Sequence, residues 1–225
     1  MSHGRRKCVC TRRLMSADAQ AHLRAVSNTV QLVTPVSYGT AVHVKIRYGS
    51  VRFSAILTAA HAVGTRAIAR KTKAVFSARG PYARRVVALD PDSLFISLAP
   101  CHDLAVVALA SNVARPPPLL YCGELHTPPQ ESLLFWHHGG GLPRMRHTRG
   151  DLVVALQDMF LVNARAEGGA SGSAIYTLSW ELYGILVAVT DARLHRHERT
   201  YTRVVEGCYL EPLQKALRRR QLHLG

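Results

Sequence analysis

The sequence predicts an all-β protein made of two antiparallel six-stranded β-barrels followed by a C-terminal helix. Short segments of alternating apolar and polar residues lie close together from residue 29 to 109 and again from 119 to 205, as is typical of small antiparallel barrels. Between them, Arg115-Pro116-Pro117-Pro118 predicts a stiff, extended connector. We therefore expect a basic N-terminal extension at residues 1–28, the first barrel at 29–114, and the second barrel with the helix at 115–225.

The N-terminal half begins with a segment of helical composition at residues 16–25, whose first turn Ser16 can cap. Alternation is clearest at residues 40–47, and Tyr48-Gly49-Ser50 is a turn signal that predicts a hairpin. The strands predicted for the first barrel are residues 30–36, 40–47, 51–58, 73–77, 84–89, 94–97 and 104–109.

The C-terminal half repeats this pattern and then changes to helical spacing. Residues 211–222 favour a helix, and Arg218-Arg219-Arg220 suits the negative end of its dipole. The strands predicted for the second barrel are residues 119–122, 133–136, 151–156, 160–162, 173–178, 182–189 and 200–205.

Three stretches carry residue types that suit acyl transfer. In residues 167–176 glycines flank Ser171, so the backbone can turn tightly and point consecutive N–H groups at one spot near the hydroxyl. An apolar strand delivers His61, and Asp103 opens another apolar strand, where a buried carboxylate needs a partner such as an imidazole. Each stretch alone also fits a structural role, namely loop glycines, a core histidine or a strand-capping aspartate. Their occurrence together, in the order His, Asp, Ser, indicates a catalytic triad.

The motifs Thr-Ala-Ala-His at His61, Asp-Leu-Ala-Val-Val at Asp103 and Gly-Ala-Ser-Gly-Ser at Ser171 resemble the three catalytic boxes of the trypsin-like (chymotrypsin-fold) serine peptidases. The gaps of 42 and 68 residues between them also fit that family. The resemblance covers about residues 30 to 220. It is closer to the compact, disulfide-free members, which are HtrA-like, glutamyl-endopeptidase-like or viral, than to secreted digestive enzymes.

This resemblance implies a serine endopeptidase in which Ser171 attacks a peptide carbonyl, His61 accepts its proton, and Asp103 orients the imidazole. The N–H groups of Gly169 and Ser171 would form the oxyanion hole. The catalytic residues would face the cleft between the barrels, with an extended polypeptide substrate bound along the second barrel. No cofactor and no metal ion is expected.

The specificity pocket is predicted less sharply. In many relatives the residue six positions before the nucleophile lies at the base of the S1 pocket, and here it is Arg165. An inward Arg165 would favour acidic substrate residues. If it points outward or pairs with Glu167, Ala166 and Ile185-Leu186-Val187 leave an apolar pocket, which we favour because an unpaired buried guanidinium is costly.

Several positions depart from the family pattern. Secreted trypsins have an aspartate directly before the nucleophile, which captures a newly cut N-terminus, whereas this chain has Ala170. We therefore expect no trypsin-type activation. Residues 185–188 offer no serine to brace Asp103. His137 and His138 could contact substrate, but we expect them to lie on a loop surface.

The five cysteines favour free thiols in a reducing compartment, because their number is odd and Ala62 stands where secreted trypsins carry a cysteine. The Cys8-x-Cys10 spacing near His3 does not fit a zinc knuckle. There is no run of 18 apolar residues to span a membrane, and the first 15 residues contain no apolar stretch of a secretory signal. We expect an intracellular protein of the host-cell cytoplasm or nucleus, and the compact, arginine-rich chain suggests a viral source.

The net charge of +15 comes from 24 arginines and 5 lysines against 14 acidic residues. Arginine suits polyanion contact because it pairs bidentately with phosphate, but the coding bias of a GC-rich genome explains the excess equally well. One alternative function is therefore a catalytically dormant protease fold that binds nucleic acid or an acidic partner through basic termini. A second alternative, an esterase of the α/β-hydrolase type, is disfavoured because a strand is predicted after Ser173.

Overall fold

The computed structural model describes residues 15–97, 103–121, 132–138, 145–194 and 199–225, without the side chains of residues 191–194 and 199–203. In these residues the helices are α1 Ala17–Ser27, α2 Ala60–Val63, α3 Arg66–Lys71 and α4 Glu211–Arg218. The strands are β1 Thr29–Val33, β2 Tyr38–Tyr48, β3 Val51–Ala59, β4 Lys73–Phe76, β5 Arg85–Ala88, β6 Phe95–Ile96, β7 Leu104–Ala108, β8 Leu119–Leu120, β9 Ser132–His138, β10 Met145–Ala155, β11 Met159–Asn163, β12 Ala174–Tyr176, β13 Glu181–Leu194, β14 Arg199–Tyr209 and β15 Leu222–Leu224.

The strands form two sheets, one from each half of the chain, except that the C-terminal strand β15 joins the first sheet. The first is antiparallel in the order β5-β4-β1-β2-β3-β7-β6, and an antiparallel bridge between Leu89 and Leu109 joins the residues that follow β5 and β7. The second runs β12-β9-β10-β11-β14-β13, and β12 also pairs with β13, so six strands close into a barrel. The prediction of an all-β chain with a C-terminal helix is confirmed.

Both faces of the central strands are buried, which explains their nearly continuous apolar sequence. Successive residues of a strand point to opposite faces, so in β3 Ile56 packs inside the first sheet while Leu57 faces the second. In β9, Phe135 fills the closed barrel while Leu134 packs between the sheets. This shared core brings β2 and β3 against the turn that precedes β12.

Helix α1 begins where the sequence predicts. The Ser16 side chain accepts a hydrogen bond from the Ala19 N–H at 3.2 Å, as an N-cap residue does. Its C-terminal end is buried, with Ala25 in the core between the sheets, and the Tyr176 hydroxyl lies 3.4 Å from the Ala25 carbonyl oxygen. Residues 17–27 are therefore packed against the second barrel.

The C-terminal helix is shorter than predicted. It ends at Arg218, Gln221 adopts a left-handed conformation (φ 60°), and Leu222–Leu224 form β15. This strand pairs with β2, so that Leu222 lies opposite Tyr48. The predicted helix end at residue 222 was wrong because pairing with a strand about 175 residues earlier leaves no local signal. The short helices α2 and α3 were also not predicted.

Candidate active site

His61 and Asp103 lie side by side because their strands are neighbours. β3 pairs with β7 so that Ala59 lies opposite Leu104. His61 follows β3 directly in helix α2, and Asp103 immediately precedes β7. The Ala60 N–H donates to the Asp103 carbonyl oxygen at 2.8 Å, which fixes the two chain segments against each other.

The Asp103 carboxylate holds both the backbone and the ring of His61. The His61 N–H donates to Oδ1 at 2.9 Å, and the ring Nδ1 is hydrogen-bonded to Oδ2. Because a carboxylate only accepts, Nδ1 carries the proton and Nε2 is left as a base. The hydrogen bond to Asp103 raises the pKa of His61, with burial opposing it and the negative charge adding to it. The His61 side chain is 52% exposed, so the ring is accessible.

Ser171 lies in a glycine turn between β11 and β12. Gly169 (φ 88°) and Gly172 (φ 87°) adopt the left-handed conformation on either side of it, which side chains disfavour. The turn is closed by hydrogen bonds from the Ala170 N–H to the Glu167 carbonyl and from the Ser173 N–H to the Ala170 carbonyl, both at 3.0 Å.

The N–H groups of Gly169 and Ser171 are available to a ligand. Among the residues that the structure describes, neither group donates a hydrogen bond. An unpaired backbone donor is costly when it is cut off from water. Two unbonded N–H groups beside a partly exposed serine are an arrangement that can stabilise an oxyanion.

Ser171 approaches the histidine loop across the contact between the sheets. Its carbonyl oxygen accepts a hydrogen bond from the Thr40 N–H at 3.0 Å. A methyl group added at Gly39 would lie 3.8 Å from that same carbonyl oxygen and 3.6 Å from Cβ of Ala62. Gly39 of β2 therefore lies between the Ser171 backbone and the residue that follows His61, so the nucleophile turn and the histidine loop flank the same residue of the first sheet.

The residues predicted for the specificity pocket are divided between surface and core. Arg165 is exposed, and Glu167 pairs with Arg146. Ala166 and Ile185-Leu186-Val187 are buried, with exposures of 6% or less. Strand β13 becomes accessible again beyond them, and Val189 is 41% exposed.

The expectation that His137 and His138 lie on a loop surface was wrong. Strand β9 continues through both residues, and they are 2% and 1% exposed. Burial lowers the pKa of His137, and it lowers the pKa of His138 to about 4, with the neighbouring charge of His137 contributing. Both rings are therefore neutral at physiological pH.

Three residues near the predicted triad were not singled out from the sequence: Thr40 on β2 and Thr58 on β3, which lie by the nucleophile turn, and Glu206 on β14, which lies near Asp103. The two threonines contact the nucleophile turn or each other across large sequence separations, which alternation along a strand does not predict. Burial raises the pKa of Glu206, and the nearby charge of Asp103 adds to this. The Glu206 carboxyl group therefore lies near Asp103. Residues 185–188 contain no serine that could brace Asp103.

No metal site is found among the described residues, none of which form a cluster of three or more potential ligands. Within the same ranges, no helix combines the length and apolar character needed to cross a bilayer. Cys208 is buried, while His3 and the other cysteines lie outside the described residues: Cys8, Cys10, Cys101 and Cys122.

The fold and site define a trypsin-like peptidase domain. The sequence model of the family described as "Trypsin-like peptidase domain" matches residues 39–185, a span that contains His61, Asp103 and Ser171. The chain belongs to this family, and the predicted trypsin-like fold is confirmed. No curated protein sequence matches this chain.

Solved structures of two bacterial proteases share this fold. The inactive form of the Rv3671c protease of M. tuberculosis H37Rv superposes with a TM-score of 0.59 at 14% identity, covering 88% of this chain and 89% of that one. The serine endoprotease of Yersinia pestis superposes with a TM-score of 0.62 at 16% identity, covering 92% of this chain and 67% of that one. At these identities the similarity concerns the fold.

Proposed function

We propose that this chain is a serine endopeptidase that acts through Ser171, His61 and Asp103. The observation that carries the proposal is the His61–Asp103 hydrogen-bonded pair beside a glycine turn that offers two unpaired N–H groups next to Ser171. A structural role for this histidine would not require an accessible ring with a free Nε2. The predicted viral source and host-cell location stay predictions.

In the proposed reaction, Ser171 Oγ attacks the carbonyl carbon of a peptide bond while His61 Nε2 takes the hydroxyl proton. The negative charge that develops on the carbonyl oxygen is stabilised by the N–H groups of Gly169 and Ser171. The carbon–nitrogen bond then breaks, His61 gives its proton to the leaving amine, and an acyl ester remains on Ser171. Water, deprotonated by His61, attacks this ester and releases the carboxylic acid and the serine. Asp103 stabilises the imidazolium that forms while the acyl ester is made and again while it is hydrolysed.

The proposed specificity is for a neutral or apolar side chain before the cut bond. Arg165 is exposed, so its guanidinium stays solvated, while Ala166 and the β13 residues bonded beside the nucleophile turn, Ile185-Leu186-Val187, are all apolar. A cleavage profile of the purified enzyme checks this: we expect apolar residues to dominate, and a profile restricted to Asp or Glu would assign Arg165 to the pocket.

Labelling with a fluorophosphonate probe tests the peptidase proposal, because this probe reacts only with an activated serine. We expect the folded wild-type protein to be labelled and the Ser171→Ala and His61→Ala variants to remain unlabelled. Ser173→Ala is not a suitable control, because its hydroxyl donates to the Ala170 carbonyl oxygen in the same turn. Ser179→Ala, on an exposed turn, is the matched control and should label like the wild type. Failure of the folded wild-type protein to label would contradict the proposal.

A second function, nucleic-acid binding, is favoured by one feature of the surface. A cavity of about 520 Å³ lies between β6 and α4, with Phe95, Ile96, Pro212 and Ala216 supplying its apolar part. The charged residues around it are Lys215, Arg219 and Arg220, and the Arg220 guanidinium lies 4.7 Å from the centre of the Phe95 ring. Of these, Lys215 is paired with Glu211 at 2.8 Å, which leaves the two arginines to contact phosphate. Arginine beside an aromatic ring suits a single strand of nucleic acid.

We expect the double variant Arg219→Glu/Arg220→Glu to bind a single-stranded oligonucleotide at least about tenfold more weakly at 0.1 M salt, and with a shallower salt dependence. Arg66→Glu/Arg70→Glu on the exposed face of α3 changes the net charge equally and is the control. Equal weakening by both pairs would assign the binding to the overall charge and not to this cavity. Fluorescence anisotropy across a salt series measures the affinity and its salt dependence for the two double variants.

A further inference from the structure

Thr40 bonds to the nucleophile turn through both its side chain and its backbone. Its hydroxyl donates to the Gly169 carbonyl oxygen at 2.8 Å, and its N–H donates to the Ser171 carbonyl oxygen at 3.0 Å. The two bonds hold the peptide groups on either side of the Ala170–Ser171 pair. Thr40 is completely buried, so water does not compete for these bonds.

Thr40 is itself fixed from both sheets. Its carbonyl oxygen accepts a hydrogen bond from the Thr58 hydroxyl at 2.7 Å, and Thr58 lies on β3 three residues before His61. Its hydroxyl oxygen accepts a hydrogen bond from the His138 N–H, at the end of β9, at 3.0 Å. A continuous series of hydrogen bonds thus links the strand that delivers His61 to the turn that carries Ser171.

The turn benefits from such external support because glycines give its backbone wide freedom, although two hydrogen bonds close it. Glycine occupies positions 168, 169 and 172, and glycine has the widest backbone freedom of any residue. The Gly169 carbonyl shares its peptide plane with the Ala170 N–H, and this plane lies between the two that carry the Gly169 and Ser171 N–H groups. If the carbonyl lost its donor, the plane could rotate and let both neighbouring planes shift. An oxyanion hole requires donors fixed within hydrogen-bonding distance of the transition state.

We propose that Thr40 is a positioning residue that fixes the Gly169 and Ser171 N–H groups and sets the Ser171 hydroxyl relative to His61. The inference rests on the proposed peptidase function. Thr40 touches no reacting atom; it acts through the turn, and Thr58 acts through Thr40. The rate of catalysis then depends on the Thr40 side chain of the first sheet, although Ser171 follows a strand of the second sheet.

Replacement of Thr40 by valine tests this, because valine keeps the shape and the backbone N–H but removes the hydroxyl. We expect kcat to fall about 10- to 100-fold while KM stays within about twofold, since misplaced oxyanion donors weaken the transition state more than substrate binding. The rate of fluorophosphonate labelling should fall in parallel. Thr40→Ser, which retains the hydroxyl, should recover most of the loss.

The control is Thr72→Val, which removes another fully buried hydroxyl whose bond, to the Ile68 carbonyl oxygen at 2.8 Å, is remote from the turn. We expect it to lower the melting temperature without changing kcat.

If Thr40→Val does not fold, Thr58→Val carries the same test with a smaller fall in kcat. Wild-type kcat in a folded Thr40→Val enzyme, or equal losses in the Thr40 and Thr72 variants, would overturn the inference while leaving the peptidase intact. A wild-type protein that neither labels nor cleaves would overturn the function and this inference together.

Discussion

Replacement of Asp103 by asparagine is expected to lower kcat/KM by about 10⁴-fold, the size of effect found when a triad aspartate is lost in this class of enzyme. The carboxylate accepts from both the His61 N–H and the ring Nδ1. An asparagine side chain can offer its NH₂ group to Nδ1, so that the imidazole keeps its proton on Nε2 instead. A ring in that tautomer cannot take the proton of Ser171.

The pH dependence distinguishes this role from a general loss of structure. The pKa of His61 is raised mainly by its hydrogen bond to Asp103, and His61 must be neutral to act as a base. Activity should therefore fall as the pH drops through this raised value, above 6.5. In the Asp103→Asn enzyme the residual activity should fall at a lower pH, because the support for the imidazolium is gone.

A matched control is Asp151→Asn, which removes a carboxylate that accepts a hydrogen bond from the Ser132 hydroxyl on the second sheet. We expect its kcat/KM and pH profile to stay those of the wild type. Steady-state rates between pH 5 and 9 on one peptide substrate give both quantities. A folded Asp103→Asn enzyme with wild-type activity would show that Asp103 does not orient His61.

The sequence predicted what depends on local chemistry. The alternating strands, the hairpin at Gly49 and the Ser16 cap need only neighbouring residues. The positions of His61 and Asp103 follow from two apolar strands that end and begin beside them. Glycines around Ser171 predicted a tight turn, and the structure contains one.

What the sequence did not predict depends on contacts between distant segments. Thr40 and Gly169 are 129 residues apart, and nothing in the alternation of β2 distinguishes Thr40 from its neighbours. The burial of His138 follows from the length of β9, which the Gly-rich residues after it obscured. The strand β15 forms because β2 offers it a partner, not because residues 222–224 favour a strand more than a helix end.

The close approach at Gly172 leads to the prediction with the largest expected effect on stability. A Cβ atom at this position would lie 2.0 Å from the Thr40 carbonyl oxygen and 2.2 Å from the Thr58 Oγ1, and the backbone has φ +87°. Neither strand can move away on its own without breaking the Thr58–Thr40 hydrogen bond. We expect Gly172→Ala to lower the free energy of unfolding by about 3 kcal/mol or more, from overpacking together with backbone strain, and to abolish probe labelling.

Gly168→Ala is the natural control, because a Cβ there would meet nothing within 4 Å. Its free energy of unfolding should change by less than about 0.5 kcal/mol. Urea unfolding of the wild type and both variants gives the comparison, with the midpoint as the measure if the slopes agree. A Gly172→Ala protein as stable as Gly168→Ala would mean that the turn does not pack against Thr40 and Thr58 as closely as the structure has it. The proposed role of Thr40 would then lose its geometric basis, whereas that of His61 and Asp103 would stand.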